Sequence, residues 1–448
     1  MTLNTRLDSV ELLQTLIRNA CVNDGRRESG QEIRNADTLK AYLGDAGLDS
    51  AMFEAAPGRV SLVSRIEGSQ RDAPALCLMG HTDVVPVNPD GWDRDPFAGE
   101  LVDGEVWGRG AVDMLNLTAT MAVAFRDLAR SGFRPRGDVI FFAVADEESG
   151  STYGAKWMAE HYWDAIRADF VLTEGGGVHA GTSEAPVVTV SVAEKGVSWR
   201  RLRVRGTPGH GSMPFRTNNA LVKAAAVVTR LAEYAPSARL HEYWGSQVAA
   251  LDIDDAEKRI LLDATAIDDV LASMPDVGIA RQLHACSHTT FSCNVMTGGS
   301  KTNVIPDQVD LEVDVRMLPG DDAATIDRHL RDALGDLADD VEIETKFEHA
   351  PSTSPLNTRL WDSIERSVAK RFTTTRLAPV LCLGFTDARV YRERGSIAYG
   401  AGLFDTSMAS GDFSRRFHGH NERIDVESLR LTTDFWLDVV RDFDRQNP

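Results

Sequence analysis

A chain of 448 residues exceeds the size at which one hydrophobic core keeps growing, so two domains are expected. A net charge of −19 argues against a nucleic-acid partner, because phosphate binding rests on clustered Lys and Arg. No apolar run approaches the roughly 18 residues that span a bilayer, none resembles a signal-peptide core, and the five cysteines form no CxxC pair; reduced thiols in a cytoplasmic protein without a membrane partner are expected.

In chain order, residues 1–18 carry the spacing of an amphipathic helix. Apolar strands are predicted at Val60–Ile66, Ala75–Met79, Val139–Ala145 and Phe170–Leu172, interleaved with helix-like segments such as Leu117–Leu128. Such alternation builds a mostly parallel sheet covered by helices. From about Ala193 the texture changes to a strand (Val197–Val204), a helix (Ala220–Ala232), strands near Thr290–Val295 and Val309–Arg316, a helix (Ala323–Leu337) and a strand (Val341–Thr345). That βαββαβ order is the ferredoxin-like split βαβ. The aspartate-rich stretch 235–282 does not fit the unit and is expected to be a helical insertion. Helices at Leu360–Lys370 and Glu427–Phe443 then return the chain to the first domain. The expected fold class is α/β with an inserted ferredoxin-like α+β domain: residues 1–193, the insert 194–350, and 351–448.

Chemistry collects at the strand ends. Ala145-Asp146-Glu147-Glu148-Ser149 closes a buried strand with two adjacent glutamates. In a cleft both would resist ionisation, whereas a divalent cation favours the charged form of one and leaves the other as a base; a solvated acidic turn is the plain alternative. Similar strand ends lead into His81-Thr82-Asp83 and Thr173-Glu174, and Gly108-Arg109-Gly110 precedes Asp113. In open α/β sheets ligands bind beyond the carboxyl ends of the strands, so these scattered groups should converge. His81 and Asp83, two apart, would point the same way, letting the carboxylate accept the second imidazole N–H.

Read together, Gly80-His81-Thr82-Asp83, Gly108-Arg109-Gly110-Ala111-Val112-Asp113-Met114, Asp146-Glu147-Glu148 and Phe417-His418-Gly419-His420-Asn421-Glu422 resemble the di-metal peptidases and amidohydrolases that include aminoacylase-1, carnosine-type dipeptidases and succinyl-diaminopimelate desuccinylase. The resemblance extends to Glu194-Lys195-Gly196, the Gly206–Pro214 loop, Asn303-Val304-Ile305-Pro306 and Asp314-Val315-Arg316, the family's lid. It implies two divalent cations, zinc before manganese or cobalt, bridged by Asp113, with His81 and Glu174 on one and Glu148 and His418 on the other. Spacing alone leaves His418 and His420 open; the family pattern places the ligand four residues before a glutamate, here Glu422, and so selects His418. In relatives the peptide after the bridging aspartate is cis. Where many relatives continue with Met-Lys-Gly, this chain has Met114-Leu115-Asn116.

By the same resemblance Glu147 is the general base, Asp83 orients His81, and His210 stabilises the oxyanion. Asn303 and Arg316 hold a substrate carboxylate, although Arg316 could instead pair with Asp314, and Gly384, Thr386 and Asp387 belong to a substrate loop. The implied reaction is hydrolysis of an amide beside a free α-carboxylate, in a dipeptide or an N-acyl amino acid, by a homodimer. The rival readings are a biosynthetic deacylase of the desuccinylase or acetylornithine type and a metal-free binding homologue.

Overall fold

A computed structural model describes residues 3–446 other than 409. The strands at its centre are continuous apolar runs: every residue of Val139–Val144, Leu76–His81 and Phe170–Thr173 is buried. Strands read this way when both faces of the sheet are covered. With Ile397–Gly400 they run parallel, pairing His81 with Val144 and Thr173 with Gly400. Four carboxyl ends therefore lie along one edge of the sheet. Antiparallel strands complete it on both sides: Ser50–Ala56 and Arg59–Ile66 on one, Pro186–Glu194 on the other. Pro186–Glu194 also pairs with His179–Gly181, Arg376–Cys382 and Ser352–Thr353.

Leu115–Arg130 is the central helix, buried through most of its length between the sheet and the helices Leu3–Arg18 and Val426–Arg445. Two of its buried threonines tie it to its neighbours. Thr118 Oγ1 donates to the His81 carbonyl at 2.8 Å, and Trp436 Nε1 donates to Thr120 Oγ1 at 3.1 Å. The start of the predicted N-terminal helix, Met1 and Thr2, and the residues after 446 lie outside the described part.

The second unit is a four-stranded antiparallel sheet in the order Thr290–Gly298, Gln308–Met317, Gly196–Arg205, Val341–His349. Ala220–Glu233 and Ala323–Leu334 cover one face, burying Leu202, Val204, Val227, Leu311, Val313 and Leu330. This is the expected βαββαβ unit. The sheet's other face is wet: Arg201 and Arg203 pair with Glu344 and Asp310, so the basic alternation is an ion-pair ladder. The helix Ala323–Leu334 is shorter than its sequence pattern because Gly335 takes a positive φ and opens a 3₁₀ turn.

The insertion is helical, as expected, with Trp244–Ala249, Asp255–Leu261, Ile267–Ser273 and Val277–Ser287. Its position is set by burial. Trp244, Val248, Leu261, Ile267 and Leu283 join the hydrophobic core of the first unit, and Trp244–Ala249 packs on Arg376–Cys382. The chain thus leaves the ferredoxin-like unit, anchors in the larger one and returns. Trp244 donates Nε1 to the Leu261 carbonyl at 2.7 Å and is buried. Trp244→Ala should destabilise the protein by about 3–5 kcal/mol, read as a lower urea midpoint in far-UV circular dichroism; an unchanged midpoint would show that the insertion is energetically detached.

Candidate metal centre

The sheet edge brings the scattered motifs together. His81, Asp113 and Glu174 form one group of donors and Asp113, Glu148 and His418 a second, with the ligand atoms in each lying within 4.8 Å of one another. Asp113 is common to both. Its Oδ1 is 3.1 Å from His81 Nε2 and its Oδ2 is 2.8 Å from His418 Nε2. His418 Nε2 also lies 3.2 Å from Glu148 Oε2, and His81 Nε2 is 3.8 Å from Glu174 Oε2. Glu147 is buried beside them and belongs to neither group.

Local geometry explains each position. His81 Nδ1 lies 2.9 Å from the main-chain oxygen of Asp83, and a carbonyl can only accept, so Nδ1 carries a proton and Nε2 is the nitrogen turned toward Asp113. This corrects the expected role of the Asp83 carboxylate, which is 3.5 Å from Nδ1. The carboxylate instead accepts the main-chain N–H groups of Glu147 and Glu148 at 3.3 and 3.2 Å, capping the acidic turn. Asp113 is held from behind by Glu422, whose Oε1 accepts the N–H groups of Val112 (2.6 Å) and Asp113 (3.0 Å). Arg109 ties this support to the opposite wall: it pairs with Glu422 at 2.7 Å and donates to the His418 carbonyl at 3.3 Å. The Asp113–Met114 peptide is cis, as the family resemblance implies. Glu174 sits where Gly400 crosses closely, since a Cβ at Gly400 would lie 1.8 Å from the Glu174 carbonyl oxygen.

The two C-terminal histidines face different surroundings. A Cβ on Gly91 would stand 2.1 Å from His420 Cε1, so that ring is packed against the 89–91 turn while His418 faces the carboxylates.

Electrostatics show what the arrangement lacks. Burial first, and neighbouring carboxylates next, push Glu148 up to about 7 and Glu147 and Glu174 well above the ordinary range. Hydrogen bonds to Asp113 and Glu148 push His418 up to about 10. Oε1 of Glu148 is buried with no hydrogen-bond partner. Oxygen and nitrogen donors crowded around a shared carboxylate, short of positive charge, fit two divalent cations.

The other expected site residues lie apart. His210 and Asn303 meet in the ferredoxin-like unit, where Gly211 N–H donates to the Asn303 carbonyl at 2.8 Å; both side chains are exposed, and the His210 ring contacts Ser212 Oγ at 2.7 Å. Arg316 pairs through Nε and Nη2 with Asp314. Thr386 is buried and donates N–H and Oγ1 to Glu194, so its hydroxyl serves the junction between the units. Asp387 is buried and accepts from Ser151 Oγ, fastening the 384–387 loop to the acidic turn. Gly384 has open space at its Cβ position. Arg109 was visible within a quoted motif, but its pairing with Glu422 spans a separation no local pattern reveals.

The chain is similar to known proteins along most of its length. The peptidase family M20/M25/M40 model matches residues 77–442. A probable carboxypeptidase S-like 2 of Dictyostelium discoideum is 27% identical over 400 residues, covering 86% of this chain and 75% of that protein. The N-fatty-acyl-amino acid synthase/hydrolase PM20D1 of Xenopus tropicalis is 27% identical over 404 residues (87% and 76%), and aminoacylase-1 of Sus scrofa 27% over 377 (83% and 82%). Among solved structures, the M20 metallo-carboxypeptidase Sso-CP2 of Sulfolobus solfataricus superposes with a TM-score of 0.72 at 17% identity, covering 98% and 99% of the two chains. The Bacillus subtilis YXEP protein, described as a dinuclear metal binding peptidase, gives 0.60 at 13% identity, covering 97% and 98%. The fold and the match along most of the chain define a hydrolase acting on peptide or amide bonds. The chain belongs to the M20/M25/M40 peptidase family.

The metal-free protein should betray the crowding through pH. A carboxyl whose pKa is raised by folding binds extra protons in the folded state, so stability falls as pH rises from its unfolded to its folded pKa; a raised imidazole pKa likewise contributes stability that is lost on the alkaline side. Glu148, shifted from 4.5 to about 7, and His418, shifted from 6.5 to about 10, act in the same direction. The melting temperature of chelated protein should therefore fall between about pH 5 and 9, and a divalent cation should restore it. A flat profile would contradict this electrostatic picture.

Proposed function

We propose that the protein hydrolyses an amide bond adjacent to a free α-carboxylate, in a dipeptide or an N-acyl amino acid, using two divalent cations, zinc by preference. The observation that carries this reading is Glu147: a buried carboxylate next in sequence to a metal-ligand candidate, yet outside both donor groups. Such cations would polarise the scissile carbonyl and acidify the attacking water. Asp113, His81 and Glu174 would hold one, and Asp113, Glu148 and His418 the other. Glu147 takes the water proton and returns it to the leaving amine nitrogen. Asn303 and Arg316 receive the substrate carboxylate; Arg316 Nη1 is outside the Asp314 pair and can extend its fork. All five cysteines are free, which supports a cytoplasmic setting, and no described helix is long and apolar enough to cross a membrane.

The test separates base from ligand. Glu147→Gln should lose about 10²–10⁴-fold in turnover while binding both metals, whereas Glu148→Gln should lower metal occupancy. A panel of dipeptides, N-acyl amino acids and N-acyl diamino acids assays the substrate class. Full activity in protein shown to be metal-free by elemental analysis would sink the mechanism.

The lid, residues 194–350, and the two catalytic segments, 1–193 and 351–448, meet where Ser352 pairs with Glu194. We read the lid as also the dimerisation unit. His210 is exposed and none of its described contacts reaches the donors of its own chain. Around it Met213 and Phe215 are exposed, and the edge strand Thr290–Gly298 presents Val295 and Met296. A partner copy would cover these and bring its His210 over the neighbouring metals to stabilise the oxyanion. Mixing inactive His210→Ala with inactive Glu147→Ala under subunit exchange should regenerate about a quarter of native activity. No recovery despite demonstrated exchange would place His210 in its own chain's site.

A further inference from the structure

Beneath the acidic turn lies a buried chain of polar groups that neither donor group includes. Arg59, Glu32 and Asp146 have side chains exposed by 1%, 0% and 2%. The Arg59 fork grips the Glu32 carboxylate through Nε (2.8 Å) and Nη2 (2.7 Å), and the same Nη2 reaches Asp146 Oδ1 at 2.7 Å. Asn23 Nδ2 then joins Asp146 Oδ1 (2.9 Å) to Asp83 Oδ2 (2.8 Å). Asp83 in turn accepts the N–H groups of Glu147 and Glu148. The path begins in the N-terminal segment, which is seated here by the bridge of Val22 to Val84 and by Asn23 N–H on the Val84 carbonyl at 2.9 Å. It ends on the two residues assigned to base and metal.

The turn needs this grip. Asp146 adopts a left-handed backbone, φ +64°, a conformation that side chains other than glycine's enter mainly when local hydrogen bonds support it. Both its carboxylate oxygens are used to hold it: Oδ1 by Arg59 and Asn23, Oδ2 by the Tyr153 N–H at 2.8 Å. One guanidinium bonds two of the three buried carboxylates, Glu32 and Asp146, and Asn23 links the third, Asp83, to Asp146. Removing the guanidinium fork leaves buried charge uncompensated at the foot of the turn.

We infer that Arg59, acting with Asn23, is a positioning residue that sets the separation of Glu147 from Glu148, and so aligns the general base with the metal pair. The inference rests on the di-metal reading above. Neither residue touches a donor atom, so the effect passes through Asp146 and Asp83. Lysine at position 59 keeps the charge but cannot grip Glu32 with two nitrogens while reaching Asp146. Arg65, on the same strand, pairs with Asp138 away from the turn and supplies the control.

The experiment compares Arg59→Lys, Asn23→Ala and Arg65→Lys as full-length protein. Metal affinity is measured by chelator competition with zinc, kcat and KM separately, and folding by thermal melting. Arg59→Lys and Asn23→Ala should each weaken metal binding or lower kcat by about 10–100-fold, with KM nearly unchanged, in protein that melts cooperatively; Arg65→Lys should match the native protein. Asn23→Ala removes no charge and keeps the test decisive if Arg59→Lys folds poorly. The inference is overturned if both variants match Arg65→Lys in metal affinity and kcat, or if their losses only track the unfolded fraction. Metal competition requires no substrate, so a failure to hydrolyse amides would refute the proposed reaction and leave this result readable.

Discussion

Like charges buried side by side are the constraint around which this protein is built. Asp113, Glu147, Glu148 and Glu174 converge at one sheet edge, all four carboxylates largely withdrawn from water. Desolvation and mutual repulsion oppose the ionisation of Glu147, Glu148 and Glu174, while hydrogen bonds from the two imidazoles hold Asp113 in its charged form. Only fixed positive charge or protons can relieve such a cluster, and two imidazoles are too few. The parallel sheet makes the crowding available, because it delivers the ends of separate strands to a common line while helices on both faces keep water away.

The surrounding polar residues serve mainly to prevent the cluster from relaxing. Glu422 with Arg109 fixes Asp113 and the His418 loop from one side. Asp83 caps the acidic turn from below, and the Asp387–Ser151 bond fastens it to the C-terminal loop. Each support is a buried charge that would be costly alone and is tolerated because it is paired and hydrogen-bonded. Small residues complete the clamp: a Cβ at Gly154 would lie 1.7 Å from the Ala145 carbonyl oxygen, so only glycine lets the chain after the turn pass so close to the strand that leads into it.

The lid is joined to this frame more firmly than a simple two-strand hinge would allow. Lys195, buried at the entrance to the lid, donates to the carbonyls of Ala285 and His288 at 2.8 and 2.7 Å, where the last insertion helix ends. A lysine there satisfies helix-terminal carbonyls and complements the helix dipole. Burial lowers its pKa to about 8. Together with the insertion core around Trp244, this contact couples lid orientation to the catalytic sheet.

Much of this was legible in the sequence because it is local. Apolar runs such as Val-Ile-Phe-Phe-Ala-Val announce doubly covered strands, and the βαββαβ rhythm of the lid follows from periodicity and turn residues. The donor residues could be named because each stands at the end of such a run or in a motif that resembles the family. Other features depend on groups distant in the chain. Spacing could not tell His418 from His420 until Gly91 was seen to receive the second ring. Nor could it show that His81 uses the Asp83 carbonyl, leaving that carboxylate for the acidic turn. Arg59 and Asn23 carry no motif, and their meaning comes from meeting Asp146 in three dimensions. Sequence periodicity determined which residues are buried and which acidic and imidazole groups stand at strand ends, because those are properties of a few neighbours; the pairing of buried charges was decided by tertiary structure alone, because electrostatic partners are chosen by distance through space.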